Sequence, residues 1–319
     1  MNLENKRVMV TGGTGFLGSH IVDKLYEHGC KCVVIPEHKK HDLRRREDVC
    51  EMYRTFKPEV VIHAAAACGG IQACSANPAR FLYDNLTMGL EMLEGAREYN
   101  VEKFVAIGSV CAYPLKVQTP AKEEELWSGY PEPTNAPYGI AKRVMMEQCQ
   151  VYRKQYGMNA IGLIPANLYG PRDSFDPAKS HVIPSLIRKC IEAKRDGTDL
   201  SVWGTGKASR EFLYVKDCAE AVVLATENYD GESPVNIATG NEVPIERLVS
   251  IISSLIGYQG LVEWDSSKPE GQPRRLFDTT RAEAFGFKAK TPLWLGLQNT
   301  IDWYTETQNG NSRAPLNKR

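Results

Sequence analysis

The segments GSVCAYP (Gly108–Pro114) and YGIAK (Tyr138–Lys142) carry side chains suited to proton transfer at a carbonyl oxygen. Tyr138 and Lys142 are one helical turn apart, so on a helix they share a face. An ammonium near a phenol favours the phenolate, so we expect Lys142 to lower the pKa of Tyr138 and make it a usable acid or base. Ser109 follows an apolar strand-like run and can hydrogen-bond the same oxygen. These residues predict hydride transfer at a carbonyl or carbinol.

Cys111 and His181 would add a second proton-transfer pair. Cys111 follows Ser109 closely, and His181 lies in the segment SHVIP (Ser180–Pro184). A thiolate or a neutral imidazole can move protons on carbons next to a ketone, because the ketone acidifies them. Each residue also has a plainer interpretation, Cys111 as a small buried hydrophobe and His181 as a structural loop histidine.

The N-terminal run Lys6–Thr11 is short, apolar and β-branched, which is typical of a buried parallel strand. It leads into GGTGFLGSH (Gly12–His20) and then into a helical pattern. Glycines let the backbone approach a pyrophosphate, and a helix N-terminus offers N–H groups to phosphates. This loop predicts a dinucleotide site with contacts from Gly12, Thr14, Gly15, Phe16, Leu17 and Gly18.

The second predicted strand bears on the choice of dinucleotide. An acid at its end would bind the ribose hydroxyls of NAD, whereas basic residues would accept the 2′-phosphate of NADP. Pro36 takes the usual acidic position, Glu37 is displaced by one residue, and His38 and Lys39 follow. The pattern favours NADP(H) and leaves NAD possible.

Strand-like and helix-like segments alternate up to about Arg172. The strand-like segments after the first are Cys32–Ile35, Val60–Ala64, Lys103–Ile107 and Ala160–Ile164. The helix-like segments are Ser19–Glu27, Asn85–Tyr99 and Tyr138–Tyr156. The alternation predicts an α/β fold with a doubly wound parallel sheet of the Rossmann type. We expect a dinucleotide-binding domain over 1–171, to which 211–240 returns, and a smaller α/β substrate-binding domain over 172–319.

Composition limits the possible partners and compartments. The 319 residues carry no formal net charge, so nothing favours nucleic acid or an acidic membrane as a partner. No apolar run approaches the roughly 20 residues of a membrane helix, and the first residues fit the fold, so neither a span nor a signal peptide is expected. The nine cysteines lack CxxC pairs. We therefore expect no metal site, no disulfide framework and a cytoplasmic location.

Several motifs identify the chain as a member of the extended short-chain dehydrogenase/reductases, the family of nucleotide-sugar epimerases, dehydratases and reductases. Within that family the chain most resembles the GDP-L-fucose synthases, and the motifs run in family order over nearly the whole chain. They are GSVCAYP, CGGIQA (Cys68–Ala73), EPTNAPYGIAK (Glu132–Lys142), NLYGPRDSF (Asn167–Phe175), SHVIPSLIRK (Ser180–Lys189), VWGTGKASREFLYVKD (Val202–Asp217) and PRRLFDTTR (Pro273–Arg281).

The resemblance implies the chemistry of an NADPH-dependent epimerase-reductase that converts GDP-4-keto-6-deoxy-mannose to GDP-L-fucose. Tyr138 would protonate the C4 oxygen as hydride arrives from the nicotinamide, with Ser109 hydrogen-bonded to that oxygen. Lys142 would hold the nicotinamide ribose. Cys111 and His181 resemble the acid/base pair that inverts C3 and C5.

The resemblance also implies binding residues and a homodimer paired through the helices at Asn85–Tyr99 and Tyr138–Tyr156. Further cofactor contacts would come from His38, Lys39, Asp42, Leu43, Ala64, Ala65, Ala66, Tyr138, Lys142 and His181. Asn167 and Arg210 would hold the diphosphate of the sugar nucleotide, and Trp203 would stack on its base or simply pack. Val182 and Lys189 complete the substrate contacts.

Three alternatives stay open. The residues at Phe16, Leu17 and Cys68 depart from those usual in the subfamily, so another GDP-linked 4-keto sugar, such as a heptose, could be the substrate. An NAD-dependent 4-epimerase would use Tyr138 and Lys142 equally, whereas a 4,6-dehydratase would carry Thr and an acid shortly after the serine. A non-catalytic cofactor-binding protein would commonly have lost the tyrosine or the lysine.

Overall fold

A computed structural model describes residues 1–268 and 271–308. The strands are β1 (Arg7–Thr11), β2 (Cys32–Val34), β3 (Val60–His63), β4 (Lys103–Ile107), β5 (Ala160–Pro165), β6 (Asn167–Tyr169), β7 (Leu200–Trp203), β8 (Ser209–Tyr214), β9 (Val235–Ile237), β10 (Glu242–Pro244) and β11 (Val262–Asp265). The helices are α1 (Phe16–Glu27), α2 (Arg46–Phe56), α3 (Ile71–Ala76), α4 (Pro78–Glu98), α5 (Ala136–Tyr156), α6 (Val182–Asp196), α7 (Val215–Asn228), α8 (Ile245–Ile256), α9 (Thr280–Ala284) and α10 (Leu293–Gln308).

The main sheet has six parallel strands in the order β2-β1-β3-β4-β5-β9. Its central strands are apolar and buried on both faces, as parallel strands covered by helices must be. The chain moves outward from β1 to β2 and then back across β1 to β3, so right-handed crossovers place α1 and α2 on opposite faces. The predicted doubly wound α/β class is confirmed. Ligands of such sheets bind beyond the carboxyl ends of the strands, at the reversal point between β1 and β3.

Two helices begin at least three residues earlier than their apolar periodicity predicts. Helix α1 starts at Phe16 rather than Ser19, with Gly18 in its first turn. A Cβ on Gly18 would lie 2.0 Å from the carbonyl oxygen of Gly12, so only glycine lets this turn close on the loop. Helix α4 starts at Pro78 rather than Asn85. Proline is tolerated in this first turn because the N–H group that it lacks would have no partner inside the helix.

A second apolar core lies beside the main one. It combines α6, α8 and α10 with two small sheets, ordered β10-β8-β6 and β11-β7. Ile187 of α6, Leu248 of α8 and Leu297 of α10 are fully buried within it. Strand β8 continues directly into α7, which packs against α1 of the main body. The two cores are therefore joined through a continuous strand and helix.

The main core takes residues from late in the chain. Strand β9 pairs with β5 at the edge of the main sheet. Phe277, Ala282 and Phe285 pack in the same core, around α9. Residues 309–319 of the expected substrate-binding domain lie outside the described part of the chain. The main body is thus assembled from segments that are far apart in sequence.

Three further observations concern the described ranges. Their helices include none that combines the length and apolarity needed to cross a membrane. The nine cysteines are all free thiols. Within residues 1–268 and 271–308, no His, Cys, Asp and Glu side chains group in a way that could hold a metal ion.

Candidate active site

The reactive side chains gather at the carboxyl end of β4, the central strand that leads into Ser109. Ser109 opens a short 3-10 turn, Val110–Ala112, and its Oγ accepts a hydrogen bond of 3.2 Å from the backbone N–H of Cys111. The hydroxyl proton of Ser109 therefore remains available, and the serine hydrogen-bonds the phenol of Tyr138. The turn fixes Ser109 and Cys111 relative to each other.

Helix α5 approaches this turn through a glycine. A Cβ on Gly139 would lie 2.3 Å from the carbonyl oxygen of Cys111, well inside any contact that a real side chain makes. Gly139 therefore sets how closely Tyr138 comes to Ser109. The sequence analysis did not select Gly139, although a glycine inside a helical pattern is itself a signal of close packing.

Lys142 reaches back to the end of β4. Its Nζ donates a 2.8 Å hydrogen bond to the carbonyl of Ile107 and lies 5.8 Å from the centroid of the Tyr138 ring. Burial lowers the pKa of Lys142 to about 8. The ammonium is held next to the phenol by a backbone contact rather than by a carboxylate.

The pKa of Tyr138 moves in the direction opposite to the one expected from the Tyr–Lys spacing. Loss of solvation raises it well above its ordinary value, and the hydrogen bond from Ser109 opposes this rise only in part. Because Lys142 loses its proton at about pH 8, little ammonium charge remains by the time the phenol would ionise. The structure thus describes Tyr138 as an acid that keeps its proton at neutral pH.

Three thiols affect the pKa of the Tyr138 phenol. Cys68, Cys74 and Cys111 each act electrostatically on the phenol. Burial raises the pKa of Cys74 to about 11. The pKa of Cys68 is also raised, because the surrounding protein removes part of the solvation of its thiolate, even though the residue keeps some contact with solvent. The sequence analysis treated Cys68 only as a departure from the subfamily, whereas the structure brings it into the reactive cluster.

His181 stands at the N-terminal end of α6, beside the loop that carries Cys68. The backbone N–H of Gly70 donates a 3.0 Å hydrogen bond to the carbonyl of Lys179, and a Cβ on Gly70 would lie 2.8 Å from the carbonyl oxygen of Ser180. The imidazole is solvent-accessible, yet the protein around it lowers its pKa. His181 is therefore mainly neutral at pH 7.

The dinucleotide loop has the shape that a pyrophosphate requires. Gly12 has a left-handed backbone with φ of +70°, and a Cβ there would lie 2.8 Å from the backbone nitrogen of Ala65. Gly15 precedes α1 and has no side chain to cap it, so the first N–H groups of the helix can donate hydrogen bonds to phosphate oxygens. These residues fit a dinucleotide. The other predicted contacts of this loop and of the β3 end lie beside them: Thr14 is exposed, and Phe16, Leu17, Ala64 and Ala66 are half-buried.

The basic residues after β2 are accessible, whereas the nearby acid is occupied. His38 and Lys39 are exposed, and Leu43 is buried in the main core. The carboxylate of Asp42 accepts hydrogen bonds of 2.9 and 2.7 Å from the Arg44 guanidinium, which holds its pKa at about 2. The cofactor contact expected of Asp42 stays a prediction, and it would have to share a carboxylate that already pairs with Arg44.

The residues expected to hold the sugar nucleotide lie on two strands of the small sheet β10-β8-β6, which together with the second apolar core is called the second body. Their side-chain nitrogens donate hydrogen bonds to backbone carbonyls. Asn167 Nδ2 donates to the carbonyl of Glu211 at 2.9 Å. Arg210 Nη1 donates to its neighbour Ser209 at 2.7 Å and to the carbonyl of Gln272. If Asn167 and Arg210 bind the diphosphate of the sugar nucleotide, their nitrogens must give up these hydrogen bonds to carbonyls or share them with the phosphate oxygens.

Trp203 offers an accessible ring at the end of β7. Its side chain is 41% exposed, which is unusual for tryptophan in a folded domain. The Nζ atoms of Lys189 and Lys268 lie 5.8 and 6.0 Å from its ring centroid. Val182, at the start of α6, is also exposed. A planar base could stack on this indole with two ammonium groups beside it.

Residues 8–238 match the NAD dependent epimerase/dehydratase family, a span that includes the glycine loop, the Ser109 turn and α5. The chain belongs to this family. It is 43% identical over 301 residues to a GDP-L-fucose synthase of Sinorhizobium fredii, covering 94% of this chain and 96% of the relative.

Solved structures of this family match nearly the whole chain. A GDP-6-OMe-4-keto-L-xylo-heptose reductase from C. jejuni superposes with a TM-score of 0.91 at 29% identity, covering 96% of this chain and 99% of that one. A GDP-L-fucose synthetase from Naegleria fowleri bound to NADP has a TM-score of 0.87 at 29% identity, with 97% of each chain covered. The predicted family and fold are confirmed, and these relatives favour an epimerase-reductase over the 4-epimerase and dehydratase alternatives.

Proposed function

We propose that the protein is an NADPH-dependent epimerase-reductase that converts GDP-4-keto-6-deoxy-mannose to GDP-L-fucose. The observation that carries this proposal is the grouping of Ser109, Tyr138, Lys142 and Cys111 at the end of β4. It occurs in a chain that is 43% identical to a GDP-L-fucose synthase along nearly its full length.

In the reduction, Tyr138 donates its proton to the C4 oxygen of the keto sugar. The raised pKa of Tyr138 keeps that proton in place at neutral pH, so the phenol is ready to act as an acid. Ser109 donates a hydrogen bond to the same oxygen, since its hydroxyl can still donate while its Oγ accepts from the Cys111 N–H group. When bound, NADPH would supply the hydride, and Lys142 would hold its nicotinamide ribose.

In the epimerisation, Cys111 and His181 move protons at C3 and C5. The neighbouring C4 ketone acidifies both positions, so one group can remove a proton from one face while the other returns one to the opposite face. The lowered pKa of His181 leaves the imidazole neutral and able to accept a proton. Contact between the loop of Gly70 and the segment of Lys179 supports His181 as a neighbour of this site.

NADP(H) is the cofactor that fits the dinucleotide loop best. Exposed His38 and Lys39 are positioned after β2 to accept a 2′-phosphate, and no acid occupies the strand end. The Naegleria fowleri relative, which holds NADP, supports this choice.

A GDP-linked 4-keto heptose is the second candidate substrate. The observation that favours it is the TM-score of 0.91 with a reductase of such a sugar. A 4,6-dehydratase is disfavoured, because Val110 and Cys111 stand where that reaction would call for a threonine and an acid after the serine.

The test is incubation of the purified enzyme with NADPH and GDP-4-keto-6-deoxy-mannose in deuterated buffer. We expect nicotinamide oxidation together with deuterium at C3 and C5 of the product. The Cys111→Ala variant should lose exchange at one or both carbons by about a hundredfold, while its Kd for NADPH stays unchanged. Reduction without exchange would leave a simple 4-reductase, and turnover of only the heptose substrate would favour the second candidate.

We further propose that two copies pair through α4 and α5, in the cytoplasm, to supply a precursor for glycan or surface polysaccharide synthesis. Large apolar side chains are exposed along these helices: Tyr83, Leu90, Val151 and Tyr156. Light scattering should give twice the 35.6 kDa chain mass, and Leu90→Glu should shift it toward a single chain.

A further inference from the structure

Arg143 follows Lys142 on α5 and is almost fully buried at the end of the reactive turn Val110–Ala112. The residue is 5% exposed. Its Nε donates a 2.8 Å hydrogen bond to the carbonyl of Ala112, and its Nη2 donates to the same oxygen. Its Nη1 donates at 2.9 Å to the carbonyl of Gly129. All three guanidinium nitrogens therefore bind backbone oxygens.

The charge of Arg143 has no acidic partner in the part of the chain that the structure describes. Apart from the two carbonyls, its guanidinium carbon lies 5.2 Å from the centroid of the Trp127 ring, a cation–π contact. Burial lowers the pKa of Arg143, because the charged form loses solvation. Hydrogen bonds from a desolvated cation are stronger than those between neutral groups, so the carbonyl of Ala112 is firmly held.

Two neighbouring cations of α5 hold the reactive turn from its two ends. Lys142 donates to the carbonyl of Ile107, just before the turn, at 2.8 Å. Arg143 donates to the carbonyl of Ala112, the last residue of the turn. Cys111 directly precedes Ala112 in the chain, so Arg143 restrains its backbone from the C-terminal side.

The docking contacts of α5 form a stripe beside the chemical one. Arg143 and Gly139 are one helical turn apart and therefore lie on the same face. At Gly139 the helix comes so close to the carbonyl oxygen of Cys111 that a Cβ would lie 2.3 Å from it. Tyr138 and Lys142 occupy the positions one residue earlier. The helix thus presents one pair for proton transfer and a neighbouring pair that seats the turn.

We propose that Arg143 is a positioning residue that holds Cys111 in place relative to Tyr138 and so sets how often proton exchange at C3 and C5 accompanies hydride transfer to C4. The inference rests on the proposed function for the reaction. Ser109 lies at the opposite end of the turn, next to the strand end that Lys142 holds. Loss of Arg143 should therefore disturb epimerisation more than reduction.

The variant Arg143→Met tests the proposal, because methionine is a long side chain that cannot donate a hydrogen bond. The enzyme turns over GDP-4-keto-6-deoxy-mannose with NADPH in deuterated buffer. Mass spectrometry and NMR then give the fraction of reduced product that lacks deuterium at C3 or C5. We expect this fraction to rise at least about tenfold over wild type, as for a displaced reactive group. Because the fraction is counted per product molecule, a smaller amount of folded enzyme does not change it.

Two further variants separate positioning from general stability. Arg143→Lys keeps the charge but loses the planar fork, so the same fraction should rise at least about threefold. Arg153→Met is the matched control, at the other end of α5, where Nη2 donates to Asn159 Oδ1 at 2.7 Å and to the carbonyl of Ala160. It removes hydrogen bonds of the same kind and should leave the fraction as in wild type.

Two results would overturn the inference. One is a wild-type fraction in either Arg143 variant, even with a lower Tm or slower turnover, since Arg143 would then only stabilise the fold. The other is an equal rise in Arg153→Met, which would make the effect a general consequence of a weakened α5. Failure of the proposed function would appear in the wild type itself, which would then oxidise no NADPH or release product without deuterium.

Discussion

The reactive cluster at the end of β4 and the sugar-nucleotide residues of the second body use their polar atoms differently. In the cluster, backbone contacts fix Ser109 and Lys142, and the Tyr138 hydroxyl, which is hydrogen-bonded to Ser109, keeps its own proton for a substrate. In the second body, the nitrogens of Asn167 and Arg210 already donate to carbonyl groups. The chemistry is therefore preorganised, whereas substrate binding must exchange one set of hydrogen bonds for another. Substitutions in the first region should act on kcat and those in the second on KM.

The most severe test of the preorganised region is Tyr138→Phe. Removal of the phenolic proton should lower kcat for NADPH oxidation by at least about a hundredfold, the low end for a lost general acid. The Kd for NADPH should stay within about twofold of wild type, since this ring is not a phosphate ligand. Tyr130→Phe, at a tyrosine that is 64% exposed, is the matched control and should behave like wild type. Near-normal turnover of Tyr138→Phe would remove this residue from the chemistry.

Gly139→Ala asks whether the spacing between α5 and the Cys111 turn matters. The new methyl group would lie 2.3 Å from the Cys111 carbonyl oxygen, so the helix must shift. We expect the free energy of unfolding to fall by about 1–3 kcal/mol and kcat to fall by more than about tenfold. Denaturant titration and steady-state kinetics measure the two effects.

The control for that change is Gly89→Ala on α4, where the atoms nearest to a new methyl group would be those of the Met145 side chain, at ordinary contact distances from 3.4 Å. It should keep full activity and be as stable as wild type or slightly more so, because alanine favours a helix. If both variants behaved alike, the close approach at Gly139 would have no bearing on catalysis.

Arg210→Lys examines the second region. Lysine keeps the positive charge but loses the planar fork that binds two phosphate oxygens at once. The KM for the GDP sugar should rise about tenfold with kcat nearly unchanged. Arg195→Lys, at a side chain that is 69% exposed, serves as control. A drop in kcat without a change in KM would mean that Arg210 belongs with the preorganised cluster.

The smallest effect should come from Trp203→Leu. Loss of stacking on the base should raise the KM for the GDP sugar about threefold to tenfold, as expected for one aromatic contact. Trp294→Leu replaces another exposed tryptophan, on α10, and should have no effect. Unchanged KM in Trp203→Leu would favour the plainer interpretation of this ring as a packing residue.

The sequence predicted the elements that carry strong periodicity and the residues that follow them. Strand β4 has the bounds expected for it, Lys103–Ile107, because it is an uninterrupted apolar run. Ser109 and Tyr138 come together as the family motifs imply. The short strands β6, β7 and β9 were not predicted, since three or four residues carry too little periodicity to be recognised.

The electrostatics of the site could not be predicted from spacing. The direction in which the pKa of Tyr138 shifts depends on its burial and on the pH at which Lys142 loses its proton. A five-residue motif contains neither kind of information. Asp173 lies in the quoted motif NLYGPRDSF, yet only the folded chain shows that its Oδ2 is buried without a hydrogen-bond partner among the described residues. Spacing identifies which groups meet, and packing decides their protonation.

The placement of β9 at the edge of the main sheet has a consequence for biosynthesis. A ribosome must complete both β7 and β8 before the strand that pairs with β5 emerges. Until then, the nascent chain presents β5 as an open hydrogen-bonding edge to which another chain can add. The edge of the main sheet is therefore completed late in synthesis. We expect a shortened chain that ends before Val235 to aggregate rather than to fold as an isolated cofactor-binding domain.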